Sequence, residues 1–170
     1  MTPRFEAFFP FIVKWEGSAF EDDPDDSGGA TKYGIDQRSH HNVDIRHLTE
    51  EQAKQIYWGS YWTKVHADDL PKGVGEVCMD IGVNNGTGRA SKWLQQEVGT
   101  TPDGVIGPKT IQAAMLKGPS VADALLDRRE EFYRDIAVGR MQKYLKGWLN
   151  RNNDLRRFVA ELQKEVSGEH

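Results

Sequence analysis

Glu16-Gly17-Ser18-Ala19-Phe20-Glu21-Asp22-Asp23-Pro24-Asp25-Asp26-Ser27-Gly28-Gly29-Ala30-Thr31-Lys32-Tyr33-Gly34-Ile35 decides how the rest of this chain is read. Acids, glycines and serines crowd around one proline, a mixture that suits neither a packed helix nor a strand interior. It reads as a carboxylate at the end of an amphipathic helix, followed by an acidic loop punctuated by glycine. Loops held on a rigid support are where chemistry concentrates. The helix in front is predicted over Pro3 to Trp15. Thr2 suits the N-cap and Pro3 the first helical position. Phe5, Phe8, Phe9, Ile12 and Val13 recur at i, i+3, i+4 and i+7, the spacing of one helix face. Glu16 continues the line through Phe5, Phe9 and Ile12, so its carboxyl emerges from the apolar side. Gly17 then suits the helix end. Pro10 is expected to kink this helix or remove one of its hydrogen bonds.

Behind the loop, Thr31, Tyr33 and Ile35 alternate, which predicts a short strand or hairpin within Ala30 to Gln37. Three side chains are then spaced for chemistry: Glu16, Asp25 and Thr31. A carboxyl set among apolar groups is disfavoured in its charged form, which suits Glu16 to the part of general acid. Asp25 lies in a polar loop, where the charged form is solvated. Two carboxyls held in opposite protonation states are what glycoside hydrolysis needs. Thr31 offers a hydroxyl that helps Asp25 hold a water. Taken singly, Glu16 also reads as a surface helix end and Asp25 as a turn residue; the joint spacing favours the chemical reading. Asp23, Asp25, Ser27 and Gly28 also fit the first positions of a calcium loop, but the closing bidentate Glu is replaced by Gly34. His40, His41, His47 and His66 lack zinc spacing and read as solvated loop residues. No metal or other cofactor is expected.

The chain has 170 residues, room for one domain or a domain with a small appendage. Its mean hydropathy is -0.66, and no apolar run approaches the ~20 residues of a membrane span, so no stable membrane insertion is expected. Glu6 and Lys14 interrupt any apolar stretch of signal-peptide type. The single cysteine, Cys78, leaves no internal disulfide and suits synthesis in a reducing cytoplasm. Residues 1–88 hold 8 Lys and Arg against 15 Asp and Glu, and residues 89–170 hold 14 against 11. An acidic first half repels phosphate and argues against a nucleic-acid enzyme. The basic second half would favour an anionic polymer, although solvated helix faces account for most such charge. A monomer is expected.

The remaining elements follow from periodicity. Residues 38–48 read as irregular. Thr49 and Gln52 form a capping box with Leu48 and Ala53 as staple, opening a helix that carries Ile56, Tyr57 and Tyr61 and ends near Trp62. A third helix is predicted from about Pro71, with Val74, Val77, Cys78 and Ile81 as its stripe and Asn85 on the same line. Gly86 and Gly88 break it; Ala90, Trp93, Leu94 and Val98 mark a fourth, stopped by Gly99. Asp103-Gly104-Val105-Ile106-Gly107-Pro108 is a tight turn into a short helix ending at Lys117. A long helix follows from about Ser120 toward Leu145. Asn150 to Asn153 are expected to break the chain before a last helix through Leu155, Phe158, Val159, Leu162 and Val166. The fold class is mainly α, with at most one small β-hairpin after the first helix.

The run Glu16-Gly17, Asp23-Pro24-Asp25-Asp26, Gly28-Gly29-Ala30-Thr31 and Tyr33-Gly34-Ile35 resembles the signature of glycoside hydrolase family 108. That family comprises N-acetylmuramidases of the lysozyme-like superfamily, many from phages and prophages. It usually has Glu-Gly-Gly where this chain has Ser18. The resemblance implies Glu16 as acid, Asp25 as the base that orients water, and Thr31 as its helper, with Asp23 and Asp26 as competing neighbours. Asp103-Gly104 through Gly107-Pro108-Lys109-Thr110, preceded by Leu94-Gln95, resembles the predicted peptidoglycan-binding domain that follows the catalytic domain in this family. The implied division is a muramidase region over 1–92 and a helical binding region over 93–170, expected to pack with the first as one compact unit.

On this reading the chain cuts the β-1,4 bond between N-acetylmuramic acid and N-acetylglucosamine in bacterial peptidoglycan. Inversion is expected, with carboxyls about 6.5–9.5 Å apart, against about 5–5.5 Å for a retaining enzyme. Tyr33, Tyr57, Tyr61, Trp62, Asn84 and Asn85 are the candidates for holding sugar, by stacking faces and amide hydrogen bonds, although the helical spacing of Tyr57 favours a core ring. Two rivals stand beside it: a lytic transglycosylase using Glu16 alone, and a wall-binding protein without activity. With no export signal and a substrate outside the membrane, a phage endolysin released by a holin or a muramidase carried by a secretion system is expected.

Overall fold

The structure is a computed structural model that describes residues 1–25 and 27–168. The chain forms two compact units, residues 1–60 and 61–170. Seven α-helices and one two-stranded hairpin are found among the described residues, so the mainly α expectation with one small hairpin after the first helix holds.

In the first unit, α1 spans Pro3–Glu16, with the Thr2 hydroxyl accepting from the Phe5 amide at 3.4 Å. The helix continues through Pro10, whose nitrogen has no hydrogen to donate, so one backbone bond is missing as expected. Phe5, Phe8, Phe9, Phe11 and Ile12 are all buried. Each contributes roughly 1.5–3 kcal/mol, and together they exceed the ~3 kcal/mol that an interior proline costs. Phe5 meets Trp58 edge-on at 5.2 Å, and Phe9 meets Tyr57 at 6.0 Å. Strands β1 (Thr31–Lys32) and β2 (Ile35–Asp36) pair antiparallel with Thr31 opposite Asp36 and Lys32 opposite Ile35. Helix α2 covers Glu50–Tyr57 and opens with the anticipated box: Gln52 N–H donates to Thr49 Oγ1 at 3.2 Å and Thr49 N–H to Gln52 Oε1 at 2.9 Å. It runs on into a π-helical turn over Trp58–Trp62.

The second unit holds α3 (Val74–Asn85), α4 (Thr87–Val98), α5 (Pro108–Lys117), α6 (Val121–Ile136) and α7 (Leu145–Ser167). Helix α3 packs against α4 and α6 and is buried from Val74 to Gly82. It starts at Val74, not Pro71, because a 3-10 turn over Ala67–Asp69 precedes it. Helix α6 stops at Ile136, short of Leu145, and a second 3-10 turn over Gly139–Tyr144 leads into α7. The break expected at Asn150 to Asn153 does not occur. Arg151 and Asn152 are buried there, and their side chains bond to other helices. Arg151 Nη2 lies 2.7 Å from Asp80 Oδ1, and Asn152 Nδ2 donates to the Leu126 carbonyl at 2.9 Å. Tertiary bonds override the weak helix preference of asparagine. Among the described residues no helix is long and apolar enough to cross a membrane.

Candidate active site

Glu16 is the last residue of α1 and is half-buried, and the Gly17 amide closes the helix on the Val13 carbonyl at 2.8 Å. The helix end therefore fixes where the carboxyl leaves the apolar face. What it meets is the hairpin turn. Tyr33 and Gly34 connect β1 to β2, both left-handed, with φ of 53° and 73°. Two consecutive left-handed residues are the signature of the tight turn that matches strand twist. A side chain at Gly34 would place its Cβ 2.6 Å from Glu16 Oε2 and 2.8 Å from Tyr57 Oη. Only glycine leaves room for both oxygens. Tyr57, buried in α2, donates its hydroxyl to the Tyr33 carbonyl at 2.7 Å. The turn, the carboxyl of Glu16 and the phenol of Tyr57 thus form one packed constellation inside the first unit.

Thr31 opens the same hairpin. It also pairs with Glu21 in an isolated antiparallel bridge, its N–H donating to the Glu21 carbonyl at 2.7 Å and its carbonyl accepting from the Glu21 N–H at 2.8 Å. That bridge closes the acidic loop. Asp25 lies in the closed loop and is exposed, and its N–H donates to Asp23 Oδ1 at 2.9 Å. Asp23 is thereby engaged in shaping the turn around Asp25. Asp26 lies outside the described residues. The Arg38 N–H reaches the Gly28 carbonyl at 3.1 Å and ties the far side of the loop to the hairpin. Thr31 belongs to the hairpin whose turn Glu16 packs against from the end of α1, and Asp25 lies in the loop that the Glu21–Thr31 bridge closes.

Of the residues expected to hold sugar, Tyr33 and Tyr57 belong to the first unit. Tyr57 is buried, as its helical spacing suggested, while Tyr33 is half-buried and its backbone carries the strained turn. In the second unit, Tyr61 is half-buried and Asn84 exposed. Trp62 is 0% exposed and donates its indole N–H to Asp68 Oδ2 at 2.8 Å. A ring without exposed surface offers no stacking face, so Trp62 serves the core. Asn85 is half-buried and accepts from the Tyr133 hydroxyl at 3.3 Å. Sequence reasoning missed Gly34 as a shaper of the site, and read Tyr57 as a core ring or a sugar contact without its hydroxyl's hold on the turn. The Tyr-Gly pair between alternating residues was the available signal for the turn.

The Asp103 to Thr110 turn is organised by Gln95, which is 1% exposed. Gln95 Nε2 donates to Asp103 Oδ1 at 2.8 Å and to the Val105 carbonyl at 3.0 Å, and Gln95 Oε1 accepts from the Gly104 N–H at 2.9 Å. The Val105 N–H and the Gln95 amide hold the Asp103 carboxyl below the usual carboxylate range. The Asp and Gly of this motif therefore build the fold of the turn. Among the described residues no three His, Cys, Asp or Glu side chains are grouped to hold a metal ion.

Residues 9–86 match the family described as Glycosyl hydrolase 108, and residues 89–153 match the Predicted Peptidoglycan domain. A solved structure, SagA of Brucella abortus, is 32% identical to this chain, superposes with a TM-score of 0.80, and is matched over 93% of this chain and 94% of its own. No curated protein matches.

Proposed function

Since this chain belongs to the glycosyl hydrolase 108 family, lysozyme-like glycoside hydrolases acting on peptidoglycan, we propose that it is an N-acetylmuramidase with Glu16 as its general acid. The observation that carries this reading is the seat of Glu16. Its carboxyl is half-buried at a helix end and packed against a glycine turn that a tyrosine hydroxyl holds in place. A proton donor must be held in one orientation toward the leaving oxygen, and packing on rigid elements does that. Glu16 protonates the glycosidic oxygen as the bond to N-acetylmuramic acid breaks. Asp25, assisted by Thr31, takes a proton from water attacking the opposite face, so the product anomer is inverted.

Glu16→Gln keeps the shape of the side chain and removes the proton. Lysis of purified cell walls should fall about 10²–10⁴-fold, with the thermal midpoint unchanged. A Glu16→Gln protein that clears walls at the parental rate would end the assignment. Asp25→Asn and Thr31→Val should lower the rate as well, with Thr31→Val the milder of the two.

One observation favours a second reading. Asp25 is exposed while Glu16 is packed, and a lytic transglycosylase needs only the acid. Mass spectrometry of the digest separates the two, since hydrolysis leaves reducing ends and transglycosylation leaves 1,6-anhydro ends. Under hydrolysis, proton NMR of the first-formed anomer reads the stereochemistry.

A further inference from the structure

The second unit has its own groove of about 460 Å³, lined by Asn85, Gly88, Arg89, Lys92, Trp93 and Gln96. These positions fall on one face of α4 and the end of α3. Arg89, Lys92 and Gln96 are exposed, while Trp93 and Asn85 are half-buried. The groove carries two cations. Most other arginines of the unit have carboxylate partners: Arg128 with Glu97, Arg134 with Glu130, Arg156 with Asp123 and Asp127, Arg157 with Asp154, and Arg129 and Arg151 with Asp80. Arg140, on the second 3-10 turn, has none among the described residues. Arg89 and Lys92 pair with no carboxylate among the described residues.

They are nonetheless held in place. The Arg89 guanidinium lies 4.5 Å over the Phe132 ring, and Trp93 meets that ring edge-on at 5.3 Å. Lys92 lies along the Gly104 turn, where its Cε is 3.4 Å from the position of a Gly104 Cβ. Asn85 gives its oxygen to Tyr133, and its amide nitrogen has no partner among the described residues. Two positioned cations, an amide donor and an indole edge in one groove suit a ligand that carries carboxylates beside polar, sugar-like or peptide groups.

We propose that this groove grips the carboxylate-bearing peptide stem of peptidoglycan, and so ties the enzyme to cross-linked wall independently of the site on the first unit. The proposal rests on the wall-hydrolase reading for its choice of ligand. Charge decides within the wall: where a stem is attached the lactyl carboxyl is consumed in the amide bond, so the free carboxylates lie on the stems.

The test uses the full chain with Glu16→Gln, so that binding is measured without cleavage. It is sedimented with intact sacculi and with particulate chitin, a β-1,4 polymer of N-acetylglucosamine that carries no carboxylate, at low ionic strength. Adding Arg89→Gln and Lys92→Gln should weaken binding to intact sacculi about tenfold, the scale of two exposed ion pairs. It should change nothing on chitin, and the gap should close as salt is raised. Circular dichroism confirms that the variant is folded. The proposal is overturned if the variant sediments with intact sacculi like its parent, or loses the same factor on chitin. It is equally overturned if the parent stays in the supernatant, or prefers a single-stranded DNA oligonucleotide to the wall. Release of reducing ends by the unsubstituted protein is scored separately. Its absence would remove the hydrolase reading and leave sedimentation to judge the groove.

Discussion

At the scale of single residues, Gly34 separates backbone strain from site geometry. Gly29 and Gly34 have nearly the same φ, 75° and 73°, so an alanine at either suffers similar strain, about 1–2 kcal/mol. Their surroundings differ. A Cβ at Gly29 meets nothing closer than Gln37 Cβ at 3.9 Å, whereas one at Gly34 meets Glu16 Oε2 at 2.6 Å. Gly34→Ala should therefore lower wall lysis at least ~10-fold, the effect of about 1.4 kcal/mol on a barrier. Gly29→Ala should lose stability without a matching loss of lysis. Equal loss of lysis in both variants would show that the turn's contact with Glu16 is irrelevant. Tyr57→Phe deletes the hydrogen bond to the Tyr33 carbonyl and should cost about 0.5–1.5 kcal/mol of stability, read by thermal denaturation, with partial loss of lysis. Glu16 itself could be found in the sequence because helical spacing and Gly17 mark where α1 ends. The role of Tyr57 could not. Periodicity shows that its ring faces the core, but the hydroxyl's partner is set by how α2 packs on the hairpin.

At the scale of elements, local signals were readable wherever the chain decides its own conformation. The Thr49 and Gln52 capping box, Thr2 at the start of α1 and Pro108 at the start of α5 are all in place. The errors came where distant contacts decide. Asn150 to Asn153 look like a loop because asparagine favours turns. The buried bonds of Arg151 and Asn152 keep α7 helical there. Gln95 is the converse case: a polar residue inside a helix whose purpose shows only once the Asp103 turn is folded against it. Replacing it with alanine leaves the Gly104 N–H and the Val105 carbonyl without their partner. Gln95→Ala should cost about 1–3 kcal/mol. Hydrogen exchange should show the 103–107 turn losing protection first. If Gln95→Ala matched the parent in melting and exchange, the turn would be held by its backbone alone.

At the scale of the whole molecule, our proposals put chemistry in the first compact unit and wall affinity in the second. The second has a charged centre that makes its stability depend on pH. Asp80 on α3 is 0% exposed, with Arg151 of α7 at 2.7 Å and Arg129 of α6 at 2.8 Å. Arg129 also donates to Asn152 Oδ1 at 2.8 Å, which joins α6 to α7. Burial alone would push the Asp80 carboxyl up. The guanidinium groups of Arg151 and Arg129 outweigh it and hold the carboxyl below the usual range. A carboxyl lowered on folding contributes stability that is fully present above its unfolded value, ~3.9, and is lost as pH falls through the folded value. Asp80 therefore supports the fold undiminished from pH 5 to pH 8 and ceases to do so only in strong acid. Asp80→Asn leaves two buried cations uncompensated, which costs about 3–5 kcal/mol. At ~2–4 °C per kcal/mol for a chain of this size, the melting temperature should drop on the order of 10 °C at neutral pH. The gap between parent and variant should stay constant above about pH 5 and narrow below about pH 4, as the parent's carboxyl begins to protonate. A gap that stays wide down to the acid transition would mean that hydrogen-bond geometry, and not the charge on Asp80, holds these three helices together.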